Sequence, residues 1–288
     1  MTIDFSIIGA PKCGTTSIAY YLSHHPAVDF SSIKEPFYYN TRTPAFNGVR
    51  DSEVYYSLFK NDGRLRGEGT TWYLYSNEAV SNILRENAEA KFIICLRNPV
   101  DAVVSWHAHM RLVGAEAEKD LSNAWDLTDI RLSRPTHIPV YGDVCMLDYK
   151  NLYNYGDQLE KLLSICRQDQ VHIIKFDYLC NSPSLVYEET LDFLGLQHDG
   201  RTEFPVQYPR VDTKSVLLRY IGSRFSYATR IKITMYANKI GLDLYDLYFR
   251  LNTSKSVKKN IPDILQHKIA SHYSQQLKKL KLITGIEF

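Results

Sequence analysis

The chain of 288 residues is 44% hydrophobic and 23% charged, proportions of a folded globular protein that exclude disordered and fibrous classes. No run approaches the about 18 apolar residues of a spanning helix, and the opening Met-Thr-Ile-Asp-Phe-Ser has no basic n-region, so no secretory signal is expected. Net charge is only +2, yet residues 210–288 hold 15 Lys and Arg against 5 Asp and Glu, a basic quarter on an acidic body.

In chain order, Phe5–Gly9 reads as a short buried strand, followed by a glycine-containing turn and a helix over about 15–24. Lys91–Arg97 repeats the pattern of apolar run, turn and helix. A third apolar run, Val171–Phe176, follows a helical stretch at Tyr155–Cys166. An amphipathic helix covers 184–196 and ends in Gly195, an aromatic and basic helical region covers 216–248, and 252–260 reads as a mobile polar loop. The last helix covers about 262–283. Continuous apolar strands alternating with helices imply a parallel sheet covered on both faces. Five cysteines, Cys13, Cys95, Cys145, Cys166 and Cys180, lack CxxC or Cys/His spacing, which argues against zinc or a disulfide framework and for a reducing cytosol.

The turn after the first strand carries chemistry. In Gly9-Ala-Pro-Lys-Cys-Gly-Thr-Thr-Ser17 two glycines bracket four residues, and successive backbone N–H groups at a helix start suit a phosphate or a relative of one. The lysine stands inside the loop at position 12, and Thr15 follows the second glycine where a kinase loop has lysine. The strand at 92–96 ends in Arg97, not in an acidic residue for Mg²⁺, so an anion handled without a metal is expected. Asn98 suits an N-cap, Pro99 the first helical position, and Asp101, Ser105 and His109 then share one helix face.

Pro11-Lys12-Cys13-Gly14-Thr15-Thr16-Ser17 resembles the 5′-phosphosulfate loop of sulfotransferases that use 3′-phosphoadenosine 5′-phosphosulfate (PAPS). Leu96-Arg97-Asn98-Pro99 through Ser105 resembles their second element, a strand ending in arginine followed by a helix carrying serine. The resemblance implies one α/β domain over 1–288, a central parallel β-sheet flanked by helices in P-loop NTPase style, with a C-terminal helical lid of which 210–260 is the basic, mobile part. It further implies that Lys12, Cys13, Gly14, Thr15, Thr16 and Ser17 hold the phosphosulfate, that Arg97 and Ser105 hold the 3′-phosphate, and that Lys214 adds a phosphate contact.

For the base, Lys34-Glu35-Pro36-Phe37-Tyr38 resembles the segment of heparan sulfate-type and bacterial sulfotransferases that carries a catalytic glutamate, which points to Glu35. Phenol and steroid sulfotransferases use a histidine after a different motif. Ser105-Trp106-His107-Ala108-His109 resembles heparan N-sulfotransferases and suggests His109 as an assisting acid or base, while Lys12 stabilises the leaving phosphate. Gly67-Glu68-Gly69-Thr70-Thr71-Trp72-Tyr73 departs from the relatives' Gly-Glu-Lys-(Ser/Thr)-Pro-x-Tyr, with Gly69 for the lysine and Thr71 for the proline. Glu68 is either a second active-site carboxylate or a structural strand-end residue. The expected acceptor is a glycan, glycolipid or small molecule, the product is 3′-phosphoadenosine 5′-phosphate (PAP), no nucleic acid partner is implied, and 216–259 is a candidate for membrane-surface contact. A metal-dependent P-loop kinase and a non-catalytic nucleotide-binding protein are the competing readings.

Overall fold

Two apolar pentapeptide-scale runs make the centre of the sheet. Strand β1 (Phe5–Gly9) is wholly buried, and β4 (Lys91–Leu96) is buried from Phe92 onward, as runs covered on both faces require. With β2 (Val28–Phe30), β3 (Leu65–Gly69) and β5 (Val171–Lys175) they form one parallel sheet in the order β2-β3-β1-β4-β5. In the computed structural model, residues 1–40, 48–76, 78–134, 144–206 and 261–288 are described, with the backbone of 211–213 and 253–255 and isolated positions between 229 and 247.

The α-helices described over their length are α1 (Thr15–Ser23), α2 (Ser52–Tyr56), α3 (Ala79–Glu86), α4 (Pro99–Val113), α5 (Leu121–Ser133), α6 (Tyr155–Leu163), α7 (Phe176–Asn181), α8 (Pro183–Leu194) and α9 (Asp263–Thr284). The chain leaves β1 for β2 at one edge of the sheet and leaves β4 for β5 at the other. Adjacent strands β1 and β4 thus part in opposite directions, which opens a crevice at their carboxyl ends. This crevice lies where the glycine loop and Arg97 emerge.

Two expectations shift, and one strand was not anticipated. The third apolar run ends one residue early, at Lys175, and its strand lies at the sheet edge, where only Ile174 is buried because β5 has a neighbour on one side. Strand β3 has no strand pattern: Leu-Arg-Gly-Glu-Gly carries two charges and two glycines. It forms because β1 and β2 supply ladders on both sides and Phe5, paired with Gly67, lays its ring where a side chain would stand. Within 252–260, read as a loop, β7 (Thr253–Lys255) pairs antiparallel with β6 (Val211–Thr213), a distant partner that local composition does not signal. Lys214 and most of 216–259 lie outside the described residues.

The final helix closes the structure against α6. Gly156 permits the approach, since a Cβ there would stand 2.7 Å from the Gln276 carbonyl oxygen. The buried Tyr273 hydroxyl donates to the Tyr149 carbonyl at 2.5 Å, and Gln276 and Lys279 both bond Asp157. No helix among the described residues is long and apolar enough to cross a membrane.

The Phe5–Gly67 contact sets a clear expectation. A Cβ on Gly67 would lie 2.0 Å from Phe5 Cζ, in the middle of the sheet, where backbone and ring have little room to give. Gly67→Ala should therefore cost about 1–3 kcal/mol in urea unfolding, whereas Gly69→Ala, where a Cβ would meet nothing nearer than Phe30 Cζ at 3.5 Å, should cost less.

Candidate active site

The loop at the end of β1 is fixed from several directions. Ala10 N donates to the Cys95 carbonyl at 2.8 Å, tying the loop to β4. The Tyr153 hydroxyl lies 3.2 Å from the carbonyl oxygens of both Pro11 and Ala102, its proton shared between the loop and α4. Lys12 at φ 63° and Gly14 at φ 94° turn the chain into α1. Only glycine suits position 14, because a Cβ there would meet Leu179 Cδ2 at 2.7 Å as well as the left-handed backbone.

Gly14 is the N-cap of α1, and among the described residues no side chain bonds the helix start. The first-turn amides at Thr15 and Thr16 are thereby left for a ligand, with the positive end of the helix dipole behind them. Thr16 and Ser17 are half-buried on that turn. Cys13 faces the opposite way: its buried thiol donates to the Pro11 carbonyl and lies 3.5 Å from the Tyr155 hydroxyl, and burial pushes it up to about 12. Its side chain belongs to the core, so Cys13 has only its backbone to offer an anion.

Arg97 follows β4 as expected. Its guanidinium lies over the Phe176 ring at 4.3 Å, its Nη1 donates to the Lys12 carbonyl at 3.4 Å, and its own carbonyl accepts from Tyr155. The buried Nε has no partner among the described residues, a donor in place for an anion. Asn98 caps α4 by accepting from Val100 N at 3.0 Å, with Pro99 at its start. Ser105 is half-buried one turn beyond Asp101, and His109 one turn beyond that.

Electrostatics link the groups around the loop. Burial and Lys34 lower the Lys12 ammonium to about 8, with Glu35 pulling the other way and Arg97 adding to the fall. Burial, then Lys12 and Lys34, hold His109 well below the ordinary imidazole range, so it stands as a neutral ring beside Trp106. Lys12, Lys34, Glu35, Arg97 and His109 thus share one field. His107 turns away, with Nε2 3.0 Å from the Glu118 carbonyl oxygen, as a core histidine.

Glu35 lies on a segment that local sequence would not hold in place. Its φ is 64°, and that of Phe37 is 55°. Glu35 N donates to the Gly69 carbonyl at 2.8 Å, Phe37 N to Thr70 Oγ1 at 3.4 Å, and Tyr39 N to the Tyr73 hydroxyl at 3.1 Å. Glu35 Oε1 accepts from Lys34 at 2.7 Å and from Thr71 Oγ1 at 3.0 Å. Thr71, noted in the sequence only as a departure from proline, contributes that hydroxyl. Thr70, Tyr73 and Phe176 escaped sequence reasoning altogether. The available signal was a cluster of hydroxyls directly after Glu68.

Glu68 is fully buried, with Oε2 accepting from Thr70 Oγ1 at 2.8 Å. Burial pushes its carboxyl up to about 7, against hydrogen bonds from Thr70 and Tyr73 and with Glu35 adding to the rise. Lys214 lies outside the described residues.

A parallel sheet with a cationic glycine loop at its switch point and a carboxylate in the same field points to a class, and sequence comparison agrees with it. The sulfotransferase domain model matches residues 2–207, and the chain belongs to the sulfotransferase family. It is similar to a membrane-associated sulfotransferase of Dictyostelium discoideum, 34% identical over 106 residues covering 35% of this chain and 22% of that protein. The bifunctional heparan sulfate N-deacetylase/N-sulfotransferase 4 of Mus musculus is 26% identical over 207 residues, 67% of this chain and 22% of the relative. The chain thus spans about a fifth of the length of these relatives. A sulfotransferase crystal structure from Alicyclobacillus acidocaldarius shares the fold at TM-score 0.73 and 19% identity, covering 100% of this chain and 98% of that one.

The raised Glu68 carboxyl makes stability depend on pH. Folding favours its protonated form, so the contribution is complete below the ordinary 4.5 and is lost as pH rises through about 7. Glu68→Gln removes this dependence. Between pH about 5 and about 8 the variant should gain roughly 2 kcal/mol on the parent in urea unfolding, and a constant difference across that range would refute the assignment.

Proposed function

We propose that this chain is a sulfotransferase that takes the sulfuryl group from PAPS and passes it to a hydroxyl or amine of a glycan, glycolipid or small-molecule acceptor. The observation that carries this reading is the convergence of Lys12, Arg97 and an uncapped helix start on one side of the crevice, with the Glu35 carboxylate held within the same field. The orphan Arg97 Nε and the open amides at Thr15 and Thr16 fit a ligand with two separate phosphate-type groups. In this reading Lys12, Gly14, Thr15, Thr16, Ser17 and the Cys13 backbone take the phosphosulfate, Arg97 and Ser105 take the 3′-phosphate, and Lys214 adds a contact from the basic segment.

The chemistry then follows from charge. The acceptor oxygen or nitrogen attacks sulfur in line, forming one bond as the bond from sulfur to the phosphate oxygen breaks. Glu35 takes the acceptor proton, and PAP departs with the bonding electron pair. Lys12 meets the negative charge that grows on the leaving oxygen, where a preorganised cation in a dry site is most effective. His109 assists in this reading as a neutral ring that offers a hydrogen bond, since burial and the two lysines disfavour its protonated form. Lys34 and Thr71 hold the Glu35 carboxylate oxygen in place before reaction.

We further read residues 1–288 as one sulfotransferase domain with 210–260 as its basic lid, which the match along the whole Alicyclobacillus fold supports. The names of the heparan sulfate relatives favour a glycan acceptor, and the basic charge of the C-terminal quarter suits an anionic one. Contact of 216–259 with a membrane surface belongs to the same proposal, as does a cytosolic setting, which five free cysteines suit.

Calorimetric titration tests the donor. PAP should bind at least about tenfold more tightly than ADP, a difference of about 1.4 kcal/mol, and Arg97→Ala should remove most of that preference. Equal affinities for PAP and ADP would overturn the PAPS assignment. For the base, Glu35→Gln should keep PAP affinity within about twofold while PAPS turnover falls by a factor on the order of 100 or more. Turnover equal to the parent's would show that Glu35 does not take the proton.

A further inference from the structure

We infer that Glu68 is a positioning residue for the proposed base: it fixes the Thr70 hydroxyl and, through it, the segment that presents Glu35. This inference rests on the reading of Glu35 as the base.

Two residues without glycine's freedom, Glu35 and Phe37, hold left-handed backbone within three positions. Such conformations persist only where the surroundings over-determine them. The surroundings are three backbone N–H bonds, received by the last residue of β3 and the turn after it: Gly69 O, Thr70 Oγ1 and the Tyr73 hydroxyl. A carbonyl acceptor is fixed by the chain itself. A hydroxyl acceptor is not, since its proton rotates until something takes it. At Thr70 that acceptor is Glu68 Oε2, 2.8 Å away, and with the proton so directed the oxygen lone pairs remain for Phe37 N.

The location of Glu68 excludes two other roles. It is 0% exposed, in ladder register with Ser6 of β1, so no substrate reaches it and it is not a second base. A carboxyl in the middle of a sheet is also a poor choice for stability alone, since burying it costs more than burying an apolar group of like size. A carboxyl there is explained by what it holds, and what it holds lies one residue from Thr71, the donor to Glu35 Oε1. Glu68 thus acts on the reaction through the geometry of the 35–39 segment, with no contact to the reacting atoms.

Hydrogen exchange and kinetics on the full chain test this together. In Glu68→Ala the amides of 35–39 should exchange at least about tenfold faster, PAPS consumption should fall about tenfold in kcat, and PAP affinity should stay within about twofold. Glu68→Gln, which keeps a carbonyl for Thr70, should restore both readouts. In a Glu35→Gln background the Glu68→Ala change should cost nothing further in turnover, because two residues on one path are not additive. Thr70→Val, with Thr70→Ser as its conservative partner, gives the same pattern if Glu68→Ala does not fold. Unchanged protection of 35–39, loss of PAP affinity in step with kcat, or a full kinetic cost in the Glu35→Gln background would each overturn the inference. If the parent itself neither binds PAP nor consumes PAPS, the sulfotransferase reading is what fails, and the exchange comparison still decides whether Glu68 holds the segment.

Discussion

The site depends on one constraint, the fastening of the β1–α1 loop to the carboxyl end of β4. Ala10 N reaches the Cys95 carbonyl, and the Tyr153 hydroxyl bridges the Pro11 and Ala102 carbonyls from behind. Tyr155 adds a bond to the Arg97 carbonyl and packs by the Cys13 thiol. Two residues from one connection thereby set the distance between the lysine loop and the arginine that follows β4. Without that fastening, Lys12, Arg97 and the start of α1 would be separate cationic features. With it, they form one cationic cluster, in which burial first and then the charges of Lys34 and Arg97 lower the Lys12 ammonium.

The Glu35 segment is built on a different principle. The cradle is backbone and cation, held by strands that would pair regardless of function. The Glu35 segment departs from regular structure and is held by hydroxyls and a buried carboxyl just after β3. Backbone outside the common regions is kept where it positions a working group, and the surrounding network makes it affordable. Thr71, which stands where the motif it resembles has a proline, supplies a hydroxyl to the Glu35 carboxylate. The Gly69 carbonyl that receives Glu35 N is one any residue would offer, so the glycine in place of a lysine has no explanation in this contact.

Much of this was legible in the sequence alone. Continuous apolar runs at Phe5–Gly9 and Lys91–Leu96 imposed buried parallel strands, since nothing else hides every residue of such a run. Gly9 through Ser17 determined a strand–turn–helix, and Asn98-Pro99 determined the start of α4, because caps and glycine turns are local. Tertiary structure alone decided the rest. Leu65–Gly69 is a strand only because β1 and β2 flank it, and Cys13 is core only because Tyr155 arrives from far along the chain. Thr71 meets Glu35 across 36 positions, and Thr70 meets Phe37 across 33. Hydrogen bonds between groups distant in sequence leave no periodicity or spacing to read, so the partners of Glu35 and Phe37 could emerge only when the sheet brought them together.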